Sequence, residues 1–343
     1  MVRLGAMGDI LHALPAVTAL RLAHPAWEID WVVEPRWRAL LAAQGSAGRG
    51  PAQPVVDRLY FAPTKAWRQR PLSLKTFNEI KILRSQLRTV AYNAVIDLQG
   101  AVRSAVVGRL TGCPRLIGEA APREAAAGWL FTERIATHGA HVIEQDVELA
   151  SAVAGDALIA VPVRLPVDAA AEAWCDALLA SSGTRPVALI NPGAGWGAKR
   201  WPVERYAAVA RGLIERGFRI LVNAGPGEES MADVIVKGTS GAAIPLATSL
   251  EQLIALTRRI ALCVAGDTGP LHLACALGRP VVGIYGPTDP SRNGPFGTRF
   301  KVLRSPLSRR DHTRHAEPEA GLLTIAPEDV LSAADELLAE EEA

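Results

Sequence analysis

The sequence predicts an α/β protein built from two doubly wound parallel sheets. Short apolar runs alternate with segments of helical periodicity along the whole chain, a pattern typical of parallel strands joined by helices. Each half opens on a strand followed by a glycine-containing turn, and 343 residues exceed what a single core usually holds. Two such domains are expected to face each other across a cleft, with ligands at the carboxyl ends of the strands.

The domain boundary is expected in a proline-containing stretch, residues 156–167. This gives an N-terminal domain over 1–160, a C-terminal domain over 161–325 and a terminal segment over 326–343, whose helix could cross back to the first domain. In the first domain, residues 2–4 would be a strand cut short, since about five or six residues are usual. The other expected strands are 29–33, 56–61, 94–98 and 115–117, and the expected helices are 10–23, 36–43, 101–110, 141–153 and a stretch from 123.

The second domain shows the same alternation. Its expected strands are 186–190, 219–223, 260–264, 280–285 and 300–303, and its expected helices are 168–180, 203–215, 250–258 and 327–342. A glycine-rich loop, 191–202, follows the first of these strands, and residues 305–321 are polar and irregular.

Composition excludes several classes of protein. The chain is 49% apolar and 21% charged, as in ordinary soluble globular proteins, and its net charge of +2 gives no reason to expect a nucleic-acid partner. No apolar run reaches the ~18 residues of a membrane span, and no signal-peptide pattern opens the chain. The four cysteines lie far apart without a CxxC pair, which indicates neither a zinc site nor a disulfide framework. A reducing cytoplasm is the expected compartment.

The turn between residues 264 and 271 carries the clearest chemical signal. An apolar strand leads into Gly266-Asp267-Thr268-Gly269-Pro270, and a short helix follows. Proline suits the first turn of a helix, where its missing N–H would be unpaired anyway. The free amides and positive dipole of a helix start bind anions, so we expect a phosphate or diphosphate at Thr268 and Gly269.

Residues 63–91 carry an uneven positive charge. Glu79 is opposed by seven cations, namely Lys65, Arg68, Arg70, Lys75, Lys81, Arg84 and Arg88. The segment is either a solvated helix face or an electropositive rim for a polyanionic substrate, and the sequence favours neither.

Taken together, the motifs resemble those of the bacterial lipopolysaccharide heptosyltransferases of glycosyltransferase family 9, most closely the heptosyltransferase I group. The resemblance rests on Arg3-Leu4-Gly5-Ala6-Met7-Gly8-Asp9-Ile10-Leu11-His12, Asp30-Trp31-Val32-Val33-Glu34, Asp97-Leu98-Gln99-Gly100, Lys199-Arg200-Trp201-Pro202, residues 266–274 and residues 283–290. It implies a GT-B fold, an acceptor-binding first domain and a nucleotide-sugar-binding second domain. It also implies inverting transfer from ADP-L-glycero-D-manno-heptose to the Kdo of Kdo-lipid A, without a metal or other cofactor, at the inner face of the inner membrane.

Other functions stay open beside this one. A transferase of the same family could use a different sugar or add the second heptose. A protein that binds a nucleotide sugar without turnover is an alternative from another class, which the short first strand makes plausible. An NAD oxidoreductase is a poor alternative, because no GxGxxG follows the first strand of either half.

Asp9 is the candidate general base. An inverting displacement needs one carboxylate to take the proton of the attacking hydroxyl. The family's catalytic Asp matches this position, although an aspartate opening a helix is often only a cap. Lys199 ends the glycine-rich loop, where Gly193, Gly195 and Gly197 would let the backbone approach a phosphate. The resemblance assigns this lysine to the donor, and its charge would offset the departing diphosphate.

The other expected donor-binding residues lie at the carboxyl ends of strands in the second half. The resemblance implies that the Thr268 and Gly269 amides hold the diphosphate and that Asp267 accepts from heptose hydroxyls. His272, one turn into the helix, would reach the same region or would be a core histidine. Glu228 is narrowly preferred over Glu229 for the ribose hydroxyls. Met231 would pack on adenine or simply in the core.

The expected acceptor-binding residues are mostly cations. A Kdo carboxylate and the phosphates of lipid A favour guanidinium partners. The candidates are Gln99, Arg103, Arg123, Lys65 and Arg68. The same basic segment suits a peripheral approach to an anionic membrane surface.

Overall fold

The computed structural model describes residues 1–180, 183–310, 313 and 315–342. The chain divides into two compact units, Met1–Val167 and Asp168–Ala343. The division lies at the end of the proline-containing stretch that the sequence singles out. No helix in the described ranges is long and apolar enough to cross a membrane.

The first unit contains one parallel sheet whose central place is taken by the opening segment. The strands are β1 (Asp30–Val33), β2 (Arg58–Phe61), β3 (Val95–Asp97), β4 (Leu116–Glu119) and β5 (Glu133–Ile135). β1 pairs with β2, and β3 with β4 and then β5, all in parallel. Val2 bridges both Val32 of β1 and Asp97 of β3. The opening residues therefore join the two halves of the sheet, although the segment is too short to form a full strand.

Helices cover this sheet and bury its apolar residues. They are α1 (Met7–Ala23), α2 (Thr64–Gln69), α3 (Leu74–Leu87), α4 (Val102–Leu110) and α5 (Val142–Ala154). α1 packs along α5. The helices expected over 36–43 and from residue 123 are instead short 3-10 segments, Pro35–Leu40 and Ala125–Trp129. The second of them contains Gly128, which disfavours a longer helix.

The second unit has a six-stranded parallel sheet of order β11-β10-β9-β6-β7-β8. Its strands are β6 (Val187–Asn191), β7 (Arg219–Asn223), β8 (Ile244–Leu246), β9 (Leu262–Gly266), β10 (Val281–Tyr285) and β11 (Phe300–Arg304). From β6 the chain adds β7 and β8 on one side and then returns to add β9, β10 and β11 on the other. The direction reverses between β6 and β9, and sheets of this kind open a ligand crevice at that point.

The helices of the second unit include the terminal one. They are α6 (Ala169–Leu179), α7 (Val203–Glu215), α8 (Glu229–Gly238), α9 (Leu250–Thr257), α10 (Gly269–Ala276), α11 (Pro290–Asn293) and α12 (Pro327–Glu342). α12 packs on α7 and on β10 and β11, with Val330, Ala334 and Leu337 in the core. Arg216, the C-cap of α7, also pairs with Asp335 through two bonds of 2.7 and 2.8 Å. The terminal helix thus packs within the second unit.

Candidate active site

The anion-binding turn forms at the point where the second sheet reverses direction. β9 ends at Gly266, Thr268 caps α10, and Gly269 is the first residue of that helix. The first amides of a helix have no partner within it, so the Thr268–Gly269 turn presents N–H groups at the carboxyl edge of the sheet. The structure places these two residues as the sequence predicts.

Lys199 reaches this turn from the neighbouring strand. β6 and β9 are parallel neighbours, so the loop after β6 meets the turn after β9. The loop ends in a 3-10 segment, Gly197–Lys199, and the Lys199 ammonium forms an ion pair with Asp267. The same Nζ lies 4.2 Å from the centre of the Trp196 ring.

His272 completes a buried cluster with Asp267 and Lys199. Its Nε2 lies 3.1 Å from Asp267 Oδ1, while Lys199 binds Oδ2. Burial alone would raise the pKa of Asp267, but the His272 hydrogen bond and the Lys199 charge outweigh it and hold that pKa well below its usual range. The aspartate is therefore a fixed negative charge and not a helix cap.

Glu228 lies beside the glycine-rich loop. A Cβ on Gly193 would stand 2.1 Å from the Glu228 carboxylate oxygens, so the glycine leaves room for this side chain. Glu228 Oε2 accepts from the Gly225 N–H at 3.0 Å and is half-buried, whereas Glu229 is exposed. Of the two glutamates, Glu228 thus lies against the glycine-rich loop, and its role in binding ribose hydroxyls stays a prediction.

Three other predicted donor-site positions differ in their surroundings. Gly195 is exposed, with no atom within 4 Å of an added Cβ. Gly197 is crowded by the backbone of Ala316, so it is needed for packing within the protein. Met231 is half-buried in the first turn of α8, where its N–H donates to the Glu228 carbonyl at 3.0 Å.

A polar chain that sequence reasoning missed joins the strand ends of this sheet. Asn223 Nδ2 donates to Asn191 Oδ1 at 2.8 Å, and Thr248 Oγ1 donates to Asn223 Oδ1 at 2.7 Å. The two asparagines are the last residues of β6 and β7 and are buried. Asparagine ending two adjacent apolar strands was the signal that could have revealed this chain.

In the first unit, Asp9 lies in the first turn of α1. Its Oδ2 accepts from the Ala6 N–H at 3.0 Å, and its Oδ1 lies 3.6 Å from the Arg3 guanidinium. The Asp9 side chain is 27% exposed, whereas that of Arg3 is 8% exposed. Asp9 therefore satisfies the helix start and still presents a carboxylate to solvent, so the capping and catalytic interpretations are compatible.

A second carboxylate, Asp146, lies buried in the same region. It belongs to α5, is 3% exposed, and has an oxygen, Oδ2, without a hydrogen-bond partner among the described residues. Burial raises the pKa of Asp146 to about 7, against the attraction of Arg3. The His12 and His141 rings meet edge to face nearby, on the paired helices α1 and α5. In the sequence, Asp146 appears only as an acidic residue on an otherwise largely apolar helix.

The predicted residues Gln99, Arg103 and Arg123 follow β3 and β4. Gln99 is buried, and its Oε1 accepts from the Leu4 N–H at 2.8 Å. Arg103 and Arg123 are exposed, and the Arg123 backbone stands 2.9 Å from where a Cβ on Gly100 would lie. The Gln99 side chain thus holds the opening segment, while the two arginines are free to meet a ligand.

Lys65 and Arg68 are exposed on α2, which follows β2. Glu34, at the end of β1, fixes the start of that helix by accepting from the Thr64 hydroxyl at 2.5 Å and from the Lys65 N–H at 2.9 Å. Like Asp9, Arg103 and Arg123, these cations follow the carboxyl ends of strands in the first sheet. Across the described residues, no group of three or more His, Cys, Asp or Glu side chains is placed to hold a metal ion. Metal-free chemistry stays a prediction.

Comparison with known proteins identifies the family. The model of glycosyltransferase family 9 (heptosyltransferase) matches residues 80–322. The chain belongs to glycosyltransferase family 9. Lipopolysaccharide heptosyltransferase 1 of Escherichia coli (strain K12) is 31% identical to this family 9 chain over 317 residues, which cover 89% of the chain and 93% of that protein.

Solved structures agree with this assignment to family 9. E. coli heptosyltransferase WaaC with ADP has a TM-score of 0.78 and 27% identity, covering 100% of this chain and 98% of that one. WaaC with ADP-2-deoxy-2-fluoro heptose has a TM-score of 0.74, with the same identity and coverage. The family 9 chain is therefore a glycosyltransferase, and the predicted GT-B fold class is confirmed.

Proposed function

We propose that this glycosyltransferase moves heptose from ADP-L-glycero-D-manno-heptose to the Kdo of Kdo-lipid A, with inversion and without a metal. The observation that carries the proposal is the 31% identity to a lipopolysaccharide heptosyltransferase 1 over nearly the whole of both chains. The related WaaC structures with ADP and with an ADP-heptose analogue support an ADP-linked donor.

The anion-binding turn would hold the donor diphosphate. The Thr268 and Gly269 amides supply hydrogen bonds, and Lys199 supplies positive charge beside them. As the bond between the sugar and the diphosphate breaks, negative charge grows on the departing ADP, and a fixed cation stabilises it. Asp267 is already ionised, and a carboxylate oxygen accepts more than one bond, so it can accept from heptose hydroxyls while still paired.

Glu228 and Met231 would bind the nucleoside. The Glu228 carboxylate lies at the carboxyl edge of the sheet beside Gly193, where an acidic side chain suits ribose hydroxyls. Met231 begins the adjacent helix and offers a half-buried thioether to adenine. Gly195, open on the Cβ side, would permit close approach of the donor.

Asp9 would act as the general base. Its partly exposed carboxylate takes the proton of the acceptor hydroxyl as that oxygen attacks the anomeric carbon. ADP leaves from the opposite face, so the configuration inverts. The neighbouring Arg3 guanidinium lies 3.6 Å from Asp9 Oδ1, so it helps to orient the carboxylate.

The exposed cations of the first unit would bind the acceptor. Lys65, Arg68, Arg103 and Arg123 suit the Kdo carboxylate and the lipid A phosphates. Gln99 would contribute its Nε2, which has no partner among the described residues. An acceptor of this kind places the enzyme at the inner face of the inner membrane as a peripheral protein.

The test is ADP release from ADP-heptose, measured with and without Kdo-lipid A. Asp9→Asn is compared with Asp329→Asn, a matched control, because Asp329 accepts from the Ala326 N–H at 2.8 Å in the first turn of α12. We expect acceptor-dependent release in the parent and in Asp329→Asn, and a loss of about a hundredfold or more in Asp9→Asn with ADP affinity unchanged. Tight donor binding without release in any chain would instead indicate a nucleotide-sugar-binding protein.

A further inference from the structure

The first unit carries a cluster of exposed apolar side chains at the start of α3. Leu72 is 99% exposed, Leu74 82% and Phe77 68%. Single exposed apolar residues are ordinary, but several large ones close together on one surface mark an interaction site. They lie on the segment whose role the sequence left open.

Leu74 and Phe77 lie on the face of α3 that points away from the core, and Leu72 lies two residues before the helix begins. Thr76, Leu83 and Leu87 are its buried residues. Leu74, Phe77, Lys81 and Arg84 recur at intervals of three and four residues, which places them on one stripe of the helix. The stripe is apolar in the first turn of α3 and cationic in the next turns. We call Leu72 and this stripe the α3 face.

The surroundings of the α3 face are strongly basic. The exposed cations of the segment are Lys65, Arg68, Arg70, Lys75, Lys81, Arg84 and Arg88. In the ranges that the structure describes, none of the seven forms a side-chain ion pair. The one carboxylate of this segment, Glu79, is half-buried and accepts from the Trp67 indole N–H at 2.8 Å. Within the described part of the chain, ion pairs therefore do not neutralise the positive charge of this segment.

Hydrogen bonds hold the turn that leads into α3 in place. Ser73 caps α3 by accepting from the Thr76 N–H at 3.1 Å, and the Thr76 hydroxyl donates to the Arg70 carbonyl at 2.8 Å. Trp67 and Glu79 join α2 to α3. Leu72 and Leu74 thus project from an anchored turn, so ordering this turn costs little on binding.

We propose that the α3 face docks onto the surface of an anionic lipid bilayer. Apolar side chains flanked by Lys and Arg suit the boundary between headgroups and acyl chains, where the apolar groups are buried and the cations meet phosphates. A second copy of this chain is a poorer occupant, because it would bring a second set of unneutralised cations to the same interface. The docking would bring the enzyme to a lipid-linked acceptor. Only this purpose, and not the docking itself, rests on the proposed function.

Sedimentation with lipid vesicles tests the docking without any sugar substrate. The parent chain is mixed with vesicles of phosphatidylcholine containing phosphatidylglycerol, or of phosphatidylcholine alone. One variant combines Leu74→Gln with Phe77→Gln, and another combines Lys81→Gln with Arg84→Gln. The matched control combines Ile159→Gln with Leu307→Gln. It removes two large apolar side chains that lie outside the α3 face and are 76% and 75% exposed. Thermal unfolding of each chain checks folding, and ADP affinity is measured separately.

We expect the parent and the control to bind the anionic vesicles and to bind the neutral ones much more weakly. Each α3-face variant should lose about tenfold or more in partition, and raised salt should weaken the parent. Equal binding by the parent and the Leu74/Phe77 variant, or no binding by the parent, would overturn the inference. Self-association that only this variant abolishes, without vesicle binding, would show an interface between copies instead. ADP-heptose turnover does not enter these results, so they stand apart from the proposed function.

Discussion

Replacing Asp146 by asparagine isolates the electrostatic cost of one buried carboxylate. Asp146 is 3% exposed on α5, and the charges that act on it come from Arg3, Asp9, Glu119 and Asp97. Burial is the largest effect and raises the pKa of Asp146 from an ordinary 3.8 to about 7, although Arg3 attracts the ionised form. The asparagine side chain has nearly the same shape and does not titrate.

The sign follows from where the proton binds more tightly. Between pH 3.8 and about 7 the folded chain holds the Asp146 proton more strongly than the unfolded chain does. The stabilisation from this proton is complete below the pKa that Asp146 has in the unfolded chain. It is lost as the pH rises through the pKa that Asp146 has in the folded chain. One pH unit is worth about 1.4 kcal/mol, so the full loss is about 4 kcal/mol, of which about 2.5 kcal/mol falls between about pH 5 and about pH 8.

The assay compares urea unfolding of the parent and Asp146→Asn across that pH range. Pulsed hydrogen exchange of peptides from α1 and α5 reports the first unit directly, which avoids averaging over both units. The other titrating groups cancel in the difference between the two chains. We expect the variant to gain about 2.5 kcal/mol over the parent as the pH rises.

Two results would refute this reasoning. A stability difference that does not change with pH would mean that Asp146 titrates near 3.8 in the folded chain as well. A difference that shrinks as the pH rises would mean that the substitution perturbs other titrating groups, since an Asp146 pKa lowered by Arg3 would leave the difference unchanged between about pH 5 and about pH 8. Asp329→Asn, which changes an exposed carboxylate, supplies the baseline.

Two further predictions concern the second unit. Lys199→Met leaves the buried Asp267 charge with His272 and without its lysine partner, so we expect the free energy of unfolding to fall by about 3 kcal/mol. Urea unfolding measures this change. Lys199→Arg, which keeps the positive charge, is the control and should keep most of the parent's stability. Gly193→Ala places a Cβ 2.1 Å from the Glu228 carboxylate, so the ADP affinity measured by calorimetry should fall about tenfold. The control Gly50→Ala, with no atom within 4 Å of its Cβ, should leave the ADP affinity unchanged. Equal ADP affinities of the two variants would exclude Glu228 from the donor site.

The alternation of strands and helices was predictable because it depends on local periodicity. Helix α7 and strand β7 have the predicted bounds. Strands β5 and β8 were missed because each has only three residues and an alternating, half-exposed burial pattern, which is a weak signal. The strand order, with its reversal between β6 and β9, depends on contacts distant in sequence that no local pattern encodes.

At the candidate site, the positions of residues were more predictable than their partners. The sequence placed Thr268 and Gly269 at a helix start because glycine and proline mark such a turn. It did not predict that Asp267 would be held by both Lys199 and His272, since Lys199 lies on a loop 68 residues away in sequence. The pairing arises only because β6 and β9 are neighbours in the sheet.

Asp267 and Asp146 show why residue type alone could not settle the chemistry. Both are aspartates with largely buried side chains, yet their pKa values move in opposite directions. Asp267 has a lysine and a histidine bound to its two oxygens, so its charge is stabilised more than burial penalises it. Asp146 has an oxygen without a partner among the described residues, and Arg3 acts on it only as a nearby charge, so the effect of burial is larger. Asp267 thus remains negative across the physiological range and can accept from a sugar, whereas Asp146 changes charge near neutral pH beside Arg3, the partner of Asp9.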